Sequence, residues 1–379
     1  MGCRRGTLEN LVMFGGIYQN KRVLLTGHTG FKGGWLSLWL RSLGAEVCGF
    51  SLPPVKGDNL FAMLPQDCFV NSVIRDLRDA NAVNKVVAEF QPDVVFHLAA
   101  QPIVGLSYRE PVNTFTTNVL GTMYLLEAVR SAKCSAAVVV VTSDKCYRND
   151  NNGRAFVESD PLGGHDVYSM SKAATEMVVA AWHSSFFSKE DGLGPIATGR
   201  AGNVIGGGDY GEDRIIPDAV RAFEKNQPLV LRRPTATRPW QHVLESVSGY
   251  LALGQQLLSE PEKTKLLSFN FGPDFEAERT VLELVDAWLI GWPEAFDLEV
   301  APEPGYVEAA RLSLDHSKAK EELGWRPVWD FQKTVAESAA WYRTRHEGQK
   351  DHSAMLNMTL EQIASYTQDA GRAGVAWAS

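Results

Sequence analysis

Three side chains capable of proton chemistry follow a buried run of four valines: Ser143, Asp144 and Lys145. Further on come Tyr168 and, four residues later, Lys172. On a helix that spacing places both side chains on one face, one turn apart. A free phenol has a pKa near 10, and a neighbouring ammonium lowers it. The pattern predicts that Tyr168 takes a proton from a sugar or alcohol hydroxyl while a nicotinamide takes the hydride, with Ser143 sharing the substrate oxygen.

Asp144 and Lys145 indicate more than a simple oxidation. A dehydrogenase or an epimerase of this kind needs only the serine, the tyrosine and the second lysine. Ligands bind outside the carboxyl ends of strands in open α/β sheets, and active sites gather ionisable groups there. We therefore predict additional proton transfers by Asp144 and Lys145. The alternative is that these two side chains merely pair with each other.

A glycine-rich turn predicts a dinucleotide site. Gly27, Gly30 and Gly33 follow a short apolar strand and open a helix. The first glycine permits a sharp turn, the second lets the backbone approach a pyrophosphate, and the third allows close packing of helix on strand. The amides at the start of the helix, including those of Phe31 and Lys32, then face the phosphates.

The identity of the dinucleotide is less clear. The second strand ends in Gly49-Phe-Ser-Leu52, which offers neither an acid for the ribose hydroxyls of NAD nor an arginine for the extra phosphate of NADP. NADP is therefore not excluded. Asp76, after the third strand, is predicted to receive the adenine amino group, or alternatively to cap the helix that follows.

Several polar residues beyond the first 200 are candidates for holding a substrate diphosphate. Asn203 closes another strand, and Arg238 offers a planar guanidinium that suits a diphosphate. Arg214 and Arg232 are further candidates, each equally compatible with an ordinary surface position. Trp35 and Trp39 are expected in the core rather than stacked on a base.

Composition narrows the class of protein. The chain of 379 residues carries a net charge of -8, which gives no reason to expect nucleic acid or an anionic membrane as partner. The five cysteines have no C-x-x-C spacing, so we expect reduced thiols and no metal site. No apolar run approaches the roughly 20 residues that span a bilayer. These features predict a cytoplasmic protein, with Met13 as a possible natural start and residues 1–12 contributing nothing to the fold.

Strands and helices alternate through the first 200 residues. The strands are continuously apolar, which predicts an α/β fold with a doubly wound parallel sheet covered on both faces. After about residue 204 helices predominate. We predict a dinucleotide-binding domain over 13–204, a smaller and more helical substrate-binding lobe over 205–346, some of whose elements return to the first domain, and a C-terminal tail over 347–379.

Five segments carry a resemblance to a known family: 26–33, 97–102, 142–147, 200–209 and 238–243, within about 13–345. On these the chain resembles the extended short-chain dehydrogenase/reductases, and more narrowly the nucleotide-sugar 4,6-dehydratases. The sister enzymes for dTDP-glucose and GDP-mannose have glutamate after the aspartate of the 142–147 segment. Lys145 occupies that position here, and in this respect the chain is similar to the CDP-glucose branch of the family.

The resemblance implies an internal redox cycle through NAD for deoxysugar biosynthesis. Hydride leaves carbon 4 of the hexose, water leaves across carbons 5 and 6, and the hydride returns to carbon 6. It implies that Tyr168 is the base, assisted by Ser143 and Lys172, and that Asp144 is the acid for the departing hydroxyl. We hypothesise that Lys145 is the carbon 5 base or positions it.

The resemblance also implies contacts and partners. The remaining residues that it places against the dinucleotide are Leu77, Leu98, Ala99, Ala100 and Asn118. Those that it places against the nucleotide sugar are Ser143, Asn203, Arg214, Arg238 and His242, and segment 306–311 is expected near the base. The resemblance also implies a homo-oligomer, either a dimer or a tetramer. The rival functions are a nucleotide-sugar epimerase, a dehydratase for another nucleotide hexose, and a non-catalytic dinucleotide sensor.

Overall fold

The computed structural model describes residues 13–55, 59–150, 153–190, 192–260, 267–274, 278–292, 297–301, 311–348 and 351–378. Its strands are β1 Arg22–Thr26, β2 Glu46–Ser51, β3 Asn71–Ile74, β4 Val94–His97, β5 Ala137–Val141, β6 Ile196–Ala201, β7 Val204–Ile205, β8 Leu229–Leu231, β9 Thr237–Pro239, β10 Gln241–His242, β11 Leu267–Phe271, β12 Glu278–Thr280 and β13 Leu298–Val300.

Its helices are α1 Phe31–Ser42, α2 Ala80–Phe90, α3 Val104–Arg109, α4 Pro111–Phe115, α5 Gly121–Ser131, α6 Val167–Trp182, α7 Ile215–Glu224, α8 Val243–Ser259, α9 Val281–Ile290, α10 Ser317–Leu323, α11 Phe331–Glu347 and α12 His352–Arg372. A π-helical turn, Thr116–Leu120, joins α4 to α5.

Seven strands form a single parallel sheet in the order β11-β6-β5-β4-β1-β2-β3. The order reverses between β1 and β4, and a crevice opens there at the carboxyl ends of the strands. Because β1, β4 and β5 are buried on both faces, their sequences are continuously apolar rather than alternating. The predicted doubly wound fold is confirmed.

Helices cover both faces of this sheet, each over its own hydrophobic cluster. One cluster contains α1 and α8, and Trp35 and Trp39 lie fully buried within it, as predicted. The other lies beneath α2 and α5. Burying a large apolar side chain contributes about 1.5–3 kcal/mol, so these clusters hold the strand ends in fixed positions.

The start of α6 is set by its cap. Asp166 accepts a hydrogen bond from the backbone of Ser169 at 2.9 Å, which satisfies an otherwise free amide of the first turn. The helix therefore begins at Val167, and Tyr168 lies in its first turn beside the end of β5. Helix α2 is capped in the same way, by the side chain of Asp79. The alternative prediction that Asp76 caps this helix is therefore wrong.

The second half of the chain is divided between the lobe and the main sheet. Short strand pairs β7–β10, β9–β12 and β8–β13 build the lobe together with α7 and α9. In contrast, α8 packs against β5 and β6, and β11 joins the main sheet beside β6. Elements of the 205–346 range thus return to the first domain, whereas the proposed boundaries themselves stay a prediction.

The described part of 347–379 is not a tail. It forms α12, which buries Met355, Ile363 and Tyr366, and then a short 3-10 helix whose Trp377 stacks on Phe14 at 4.9 Å between ring centroids. The predicted tail is wrong because the polar residues of this segment occupy one face of an amphipathic helix. Residues 1–12 lie outside the described residues. No described helix is long and apolar enough to cross a membrane.

Candidate active site

The carboxyl ends of the central strands and the lobe enclose a cavity of about 620 Å³. The five predicted catalytic residues all line it: Ser143, Asp144, Lys145, Tyr168 and Lys172. The predicted dinucleotide contacts that line it are Gly27, Gly30, Phe31, Lys32, Gly33, Asp76, Leu77, Leu98, Ala99 and Ala100. Three predicted substrate residues from the second half of the chain, Asn203, Arg214 and Arg238, also line it.

The glycine turn leaves no room for side chains. Gly27 has a φ of 78°, and a Cβ there would lie 2.8 Å from the backbone nitrogen of Ala99. A Cβ on Gly33 would lie 2.1 Å from the carbonyl oxygen of Gly27. Gly30 is the N-cap of α1 and supplies no side-chain cap. The first turn of α1 thus presents its amides toward the cavity, as a phosphate site requires.

At the end of β2, where the sequence has no acid for the ribose hydroxyls of NAD, the structure places hydroxyl groups. Thr29 Oγ1 lies 2.8 Å from Ser51 Oγ, and the Thr29 hydroxyl donates to the carbonyl of Leu52 at 3.0 Å. All three residues line the cavity, and none was predicted. Asp76 is bound by the Arg78 guanidinium, which holds the pKa of that carboxyl below its usual range.

Tyr168, Ser143 and Asp144 form a connected group at the centre of the cavity. The Ser143 hydroxyl donates to Asp144 Oδ1 at 2.9 Å and is also hydrogen-bonded with the Tyr168 phenol. Burial raises the pKa of Tyr168 to about 12, opposed by the hydrogen bond with Ser143 and by the charge of Arg214. The direction is opposite to the predicted lowering by Lys172, because loss of solvent outweighs the groups that lower the pKa, and these are Ser143 and Arg214 rather than Lys172.

Lys172 lies under the end of β5. Its Nζ donates to the carbonyl of Val141 at 3.3 Å. Burial lowers the pKa of Lys172 to about 8, while the charge of Glu176 acts in the opposite direction. The ammonium is therefore only weakly favoured at neutral pH.

Asp144 and Lys145 form an ion pair, and both residues also line the cavity. Lys145 Nζ lies 3.7 Å from Asp144 Oδ1, so the alternative of mutual pairing describes one oxygen of the carboxylate. The other oxygen, Oδ2, is buried and has no hydrogen-bond partner. A buried polar atom without a partner carries a free-energy cost of about 1–3 kcal/mol. Such an atom at a cavity wall is suited to exchange a proton with a bound hydroxyl.

Lys32 contributes a side chain as well as a backbone amide. Its Nζ donates to the Tyr250 hydroxyl at 3.1 Å. Burial and the neighbouring charge of Arg214 lower the pKa of Lys32 to about 7, partly offset by Asp144.

The lobe supplies the cationic wall. Arg214 Nη1 lies 2.9 Å from both carboxylate oxygens of Asp209, a cavity residue that was not predicted. Arg238 is buried, and its Nη1 donates to the carbonyl of Thr237 at 2.9 Å. Arg232 also lines the cavity and pairs with Asp213 at 2.6 Å. Asn203 Oδ1 is buried without a hydrogen-bond partner.

Two predicted contacts lie away from the cavity lining. The side-chain amide of Asn118 donates to Ser171 Oγ at 2.9 Å and accepts from the Gln101 amide at 2.7 Å. These contacts order the loop after β4, and the predicted dinucleotide contact of Asn118 stays a prediction. His242 caps α8 by accepting from the amide of Leu244, and burial lowers its pKa to about 3. Its position does not support the predicted substrate contact.

The expected base-covering segment can be located only in part. Residues 302–310 lie outside the described residues. Arg311 is paired with Glu278 at 2.8 Å, so its guanidinium is held by the lobe. Among the residues that the structure describes, no three His, Cys, Asp or Glu side chains cluster as metal ligands would.

Comparison with known proteins finds a family model and a relative that match most of the chain. The family model for GDP-mannose 4,6 dehydratase matches residues 24–338. The CDP-glucose 4,6-dehydratase of Salmonella typhimurium is 43% identical over 353 residues, which cover 92% of this chain and 97% of that protein.

Solved structures of two classes of enzyme are also similar to this chain. A dTDP-glucose 4,6-dehydratase of Streptomyces venezuelae with NAD bound is 25% identical, with a TM-score of 0.74, covering 86% of this chain and 98% of that one. A Thermus thermophilus UDP-glucose 4-epimerase in complex with NAD is 28% identical, with a TM-score of 0.72, covering 85% and 99%. The fold is common to dehydratases and epimerases, so the side chains at the site must distinguish them.

Proposed function

The chain belongs to the GDP-mannose 4,6-dehydratase family, and from that membership we propose that it is an NAD-dependent hydro-lyase that converts CDP-glucose to CDP-4-keto-6-deoxyglucose and water. The observation that carries the proposal is the unpartnered Oδ2 of Asp144, beside the Ser143–Tyr168 pair and Lys145. An epimerase has no step that needs such an acid. The 43% identity with a CDP-glucose 4,6-dehydratase supports the choice of substrate.

The cavity residues fit a dinucleotide. The tight Gly27–Gly33 turn and the amides of α1 would hold its pyrophosphate, and Ser51 and Thr29 would face the adenosine ribose. When bound, NAD accepts a hydride from carbon 4 of the hexose and later returns it to carbon 6. NAD is preferred to NADP on the evidence of the related NAD complexes, because the end of β2 itself carries only hydroxyls.

The oxidation step uses Tyr168 and Ser143. The Tyr168 phenolate takes the proton of the carbon 4 hydroxyl, and Ser143 holds the same oxygen. With a pKa of about 12 in the protein alone, Tyr168 needs cationic neighbours to ionise. Lys172, Arg214 and the positively charged nicotinamide would all act in that direction.

The elimination step uses Asp144 and Lys145. The 4-keto group acidifies the carbon 5 proton, neutral Lys145 takes it, and protonated Asp144 gives its proton to the departing carbon 6 hydroxyl. The two side chains finish this step as ammonium and carboxylate, which is the ion pair seen at 3.7 Å. Lys145 returns its proton to carbon 5 when the hydride reaches carbon 6. The proton that Tyr168 took from the carbon 4 hydroxyl, passed through Ser143 to Asp144, would regenerate the reactive groups.

The test is the mass of the product. Purified protein is incubated with NAD and CDP-glucose, and in parallel with dTDP-glucose and GDP-mannose. We expect loss of one water from the CDP-sugar, with no net consumption of NAD. A product of unchanged mass would indicate the epimerase, and turnover of another nucleotide sugar alone would reassign the substrate.

We also propose that the protein acts as a homodimer in the cytoplasm. Met170 and Met177, on the outer face of α6, are 42% and 54% exposed and lie two turns apart. Two such apolar side chains on one helix face favour burial against a second copy. Light scattering of the purified protein would show a dimer, and a monomer at micromolar concentration would contradict it.

A further inference from the structure

Glu176 extends the catalytic face of α6 by one turn. Tyr168, Lys172 and Glu176 are spaced by four residues each, so the three side chains follow one line along the helix. Neither the redox cycle nor the elimination uses Glu176. It is nevertheless buried, with 4% of its surface exposed. A buried carboxylate is costly unless it is paired and hydrogen-bonded.

The Glu176 carboxylate joins α6 to two strands. It accepts hydrogen bonds from Arg200 Nε at 2.9 Å and Nη2 at 2.8 Å, and from the Thr198 hydroxyl at 2.9 Å, both residues of β6. It also accepts a short hydrogen bond from the Thr142 hydroxyl. Thr142 directly precedes Ser143. The position of the strand end that carries the catalytic serine is thereby tied to this carboxylate.

Arg200 is anchored on its other side. Its Nη1 donates to the Tyr147 hydroxyl at 2.7 Å, and its guanidinium lies 5.0 Å from the centre of the Tyr147 ring. Tyr147 in turn donates to Asn270 Oδ1 at 2.7 Å on β11. The guanidinium of Arg200 thus neutralises the Glu176 carboxylate. Every member of this network is buried, so each of these polar groups depends on its partners within the network.

The remaining titratable groups around Lys172 cannot replace Glu176 as a counter-charge. Burial lowers the pKa of His97 on β4 to about 3 and raises that of Cys146 after β5 well above its usual value, so both are neutral at pH 7. Lys32 on α1 carries positive charge when protonated. Tyr168, on the same helix as Lys172, is neutral in the protein alone, because burial raises its pKa to about 12.

We propose that Glu176 is a positioning residue for the reaction: it keeps Lys172 cationic and, through Thr142, fixes the end of β5 that carries Ser143. The inference rests on the proposed function and deepens it. Lys172 can favour the Tyr168 phenolate only as a cation. The charge of Glu176 and the placement of its oxygens are therefore separate contributions, and two variants separate them.

The first variant, Glu176→Gln with Arg200→Met, removes the whole ion pair, so that Lys172 loses the charge that acts on it, that of Glu176, and no unpaired guanidinium remains. We expect the alkaline limb of kcat/KM against pH, where Lys172 loses its proton, to move down by about one pH unit or more. The second variant, Glu176→Asp, keeps the charge and withdraws the oxygens by one methylene. We expect an unmoved limb with a lower kcat. Glu245→Gln, which alters another buried carboxylate, is the control and should leave the limb in place.

The outcomes separate this inference from the proposed function. Wild-type protein is assayed first on CDP-, dTDP- and GDP-sugars, and failure there to form a dehydrated product contradicts the proposed function alone. The pH profiles are then compared on whichever nucleotide sugar is turned over. A folded double variant with the wild-type limb would overturn the inference. If the double variant does not fold, Glu176→Asp decides, because an unchanged kcat in that variant would equally overturn it.

Discussion

Replacing Asp144 with asparagine should stop elimination while sparing oxidation. The two side chains have the same shape, so the Ser143 contact with Oδ1 at 2.9 Å can be kept. What is lost is the acidic proton at Oδ2. General acids contribute roughly 10²–10⁴-fold. Asp144 is only 1% exposed, so bulk solvent is a poor replacement for its proton. We therefore expect the upper part of that range, about 10³–10⁴-fold or about 4–5.5 kcal/mol.

Rapid mixing of the Asp144→Asn enzyme with NAD and CDP-glucose provides the assay. Tyr168 and Lys172 are intact, so the absorbance of reduced nicotinamide should rise and persist while the dehydrated product forms slowly. Asp93→Asn is the matched control, because Asp93 binds the backbone of Arg22 at the opposite end of the sheet. Slow product formation without persistent reduced nicotinamide would place the defect in hydride transfer and refute the role of Asp144. Turnover at the wild-type rate would refute it as well.

Three further predictions follow from the same geometry. Lys145→Met should abolish exchange of the carbon 5 proton with solvent, measured by deuterium incorporation, and exchange at the normal rate would remove Lys145 as the base. Gly33→Ala should weaken NAD binding at least tenfold in a direct titration, since its Cβ would lie 2.1 Å from the Gly27 carbonyl oxygen; binding within twofold of wild type would contradict the tight turn. Burial raises the pKa of Glu245 to about 7, although a hydrogen bond from Tyr366 acts in the opposite direction. Between about pH 4.5 and 7 this carboxyl group is therefore more protonated in the folded protein than in the unfolded chain. Stability should accordingly fall by about 3 kcal/mol as pH rises through that window. Denaturant unfolding of Glu245→Gln should lose this part of the pH dependence, and an unchanged slope would show that the carboxyl is not the cause.

The alternation of helices and strands was readable from the sequence because it depends on local periodicity. The run of valines before Ser143 lies in β5, Ala137–Val141, and the helical second half of the chain includes α8, Val243–Ser259. The same local logic located the glycine turn and the four-residue spacing of Tyr168 and Lys172. Polar composition misled at α12, because an amphipathic helix of many polar residues differs little from a tail until its partners are known.

What the sequence by itself determined was the kind of chemistry: a phenol, a hydroxyl, an acid and an amine at the end of one strand, next to a phosphate-binding turn. Only the tertiary structure decided how those groups are tuned. It raised the Tyr168 pKa by burial, left one oxygen of Asp144 without a partner, and turned His242 into a helix cap. It also joined Glu176 to Arg200 across two elements. Solvent exclusion and pairing between distant residues depend on packing in three dimensions, and spacing along the chain carries no record of them.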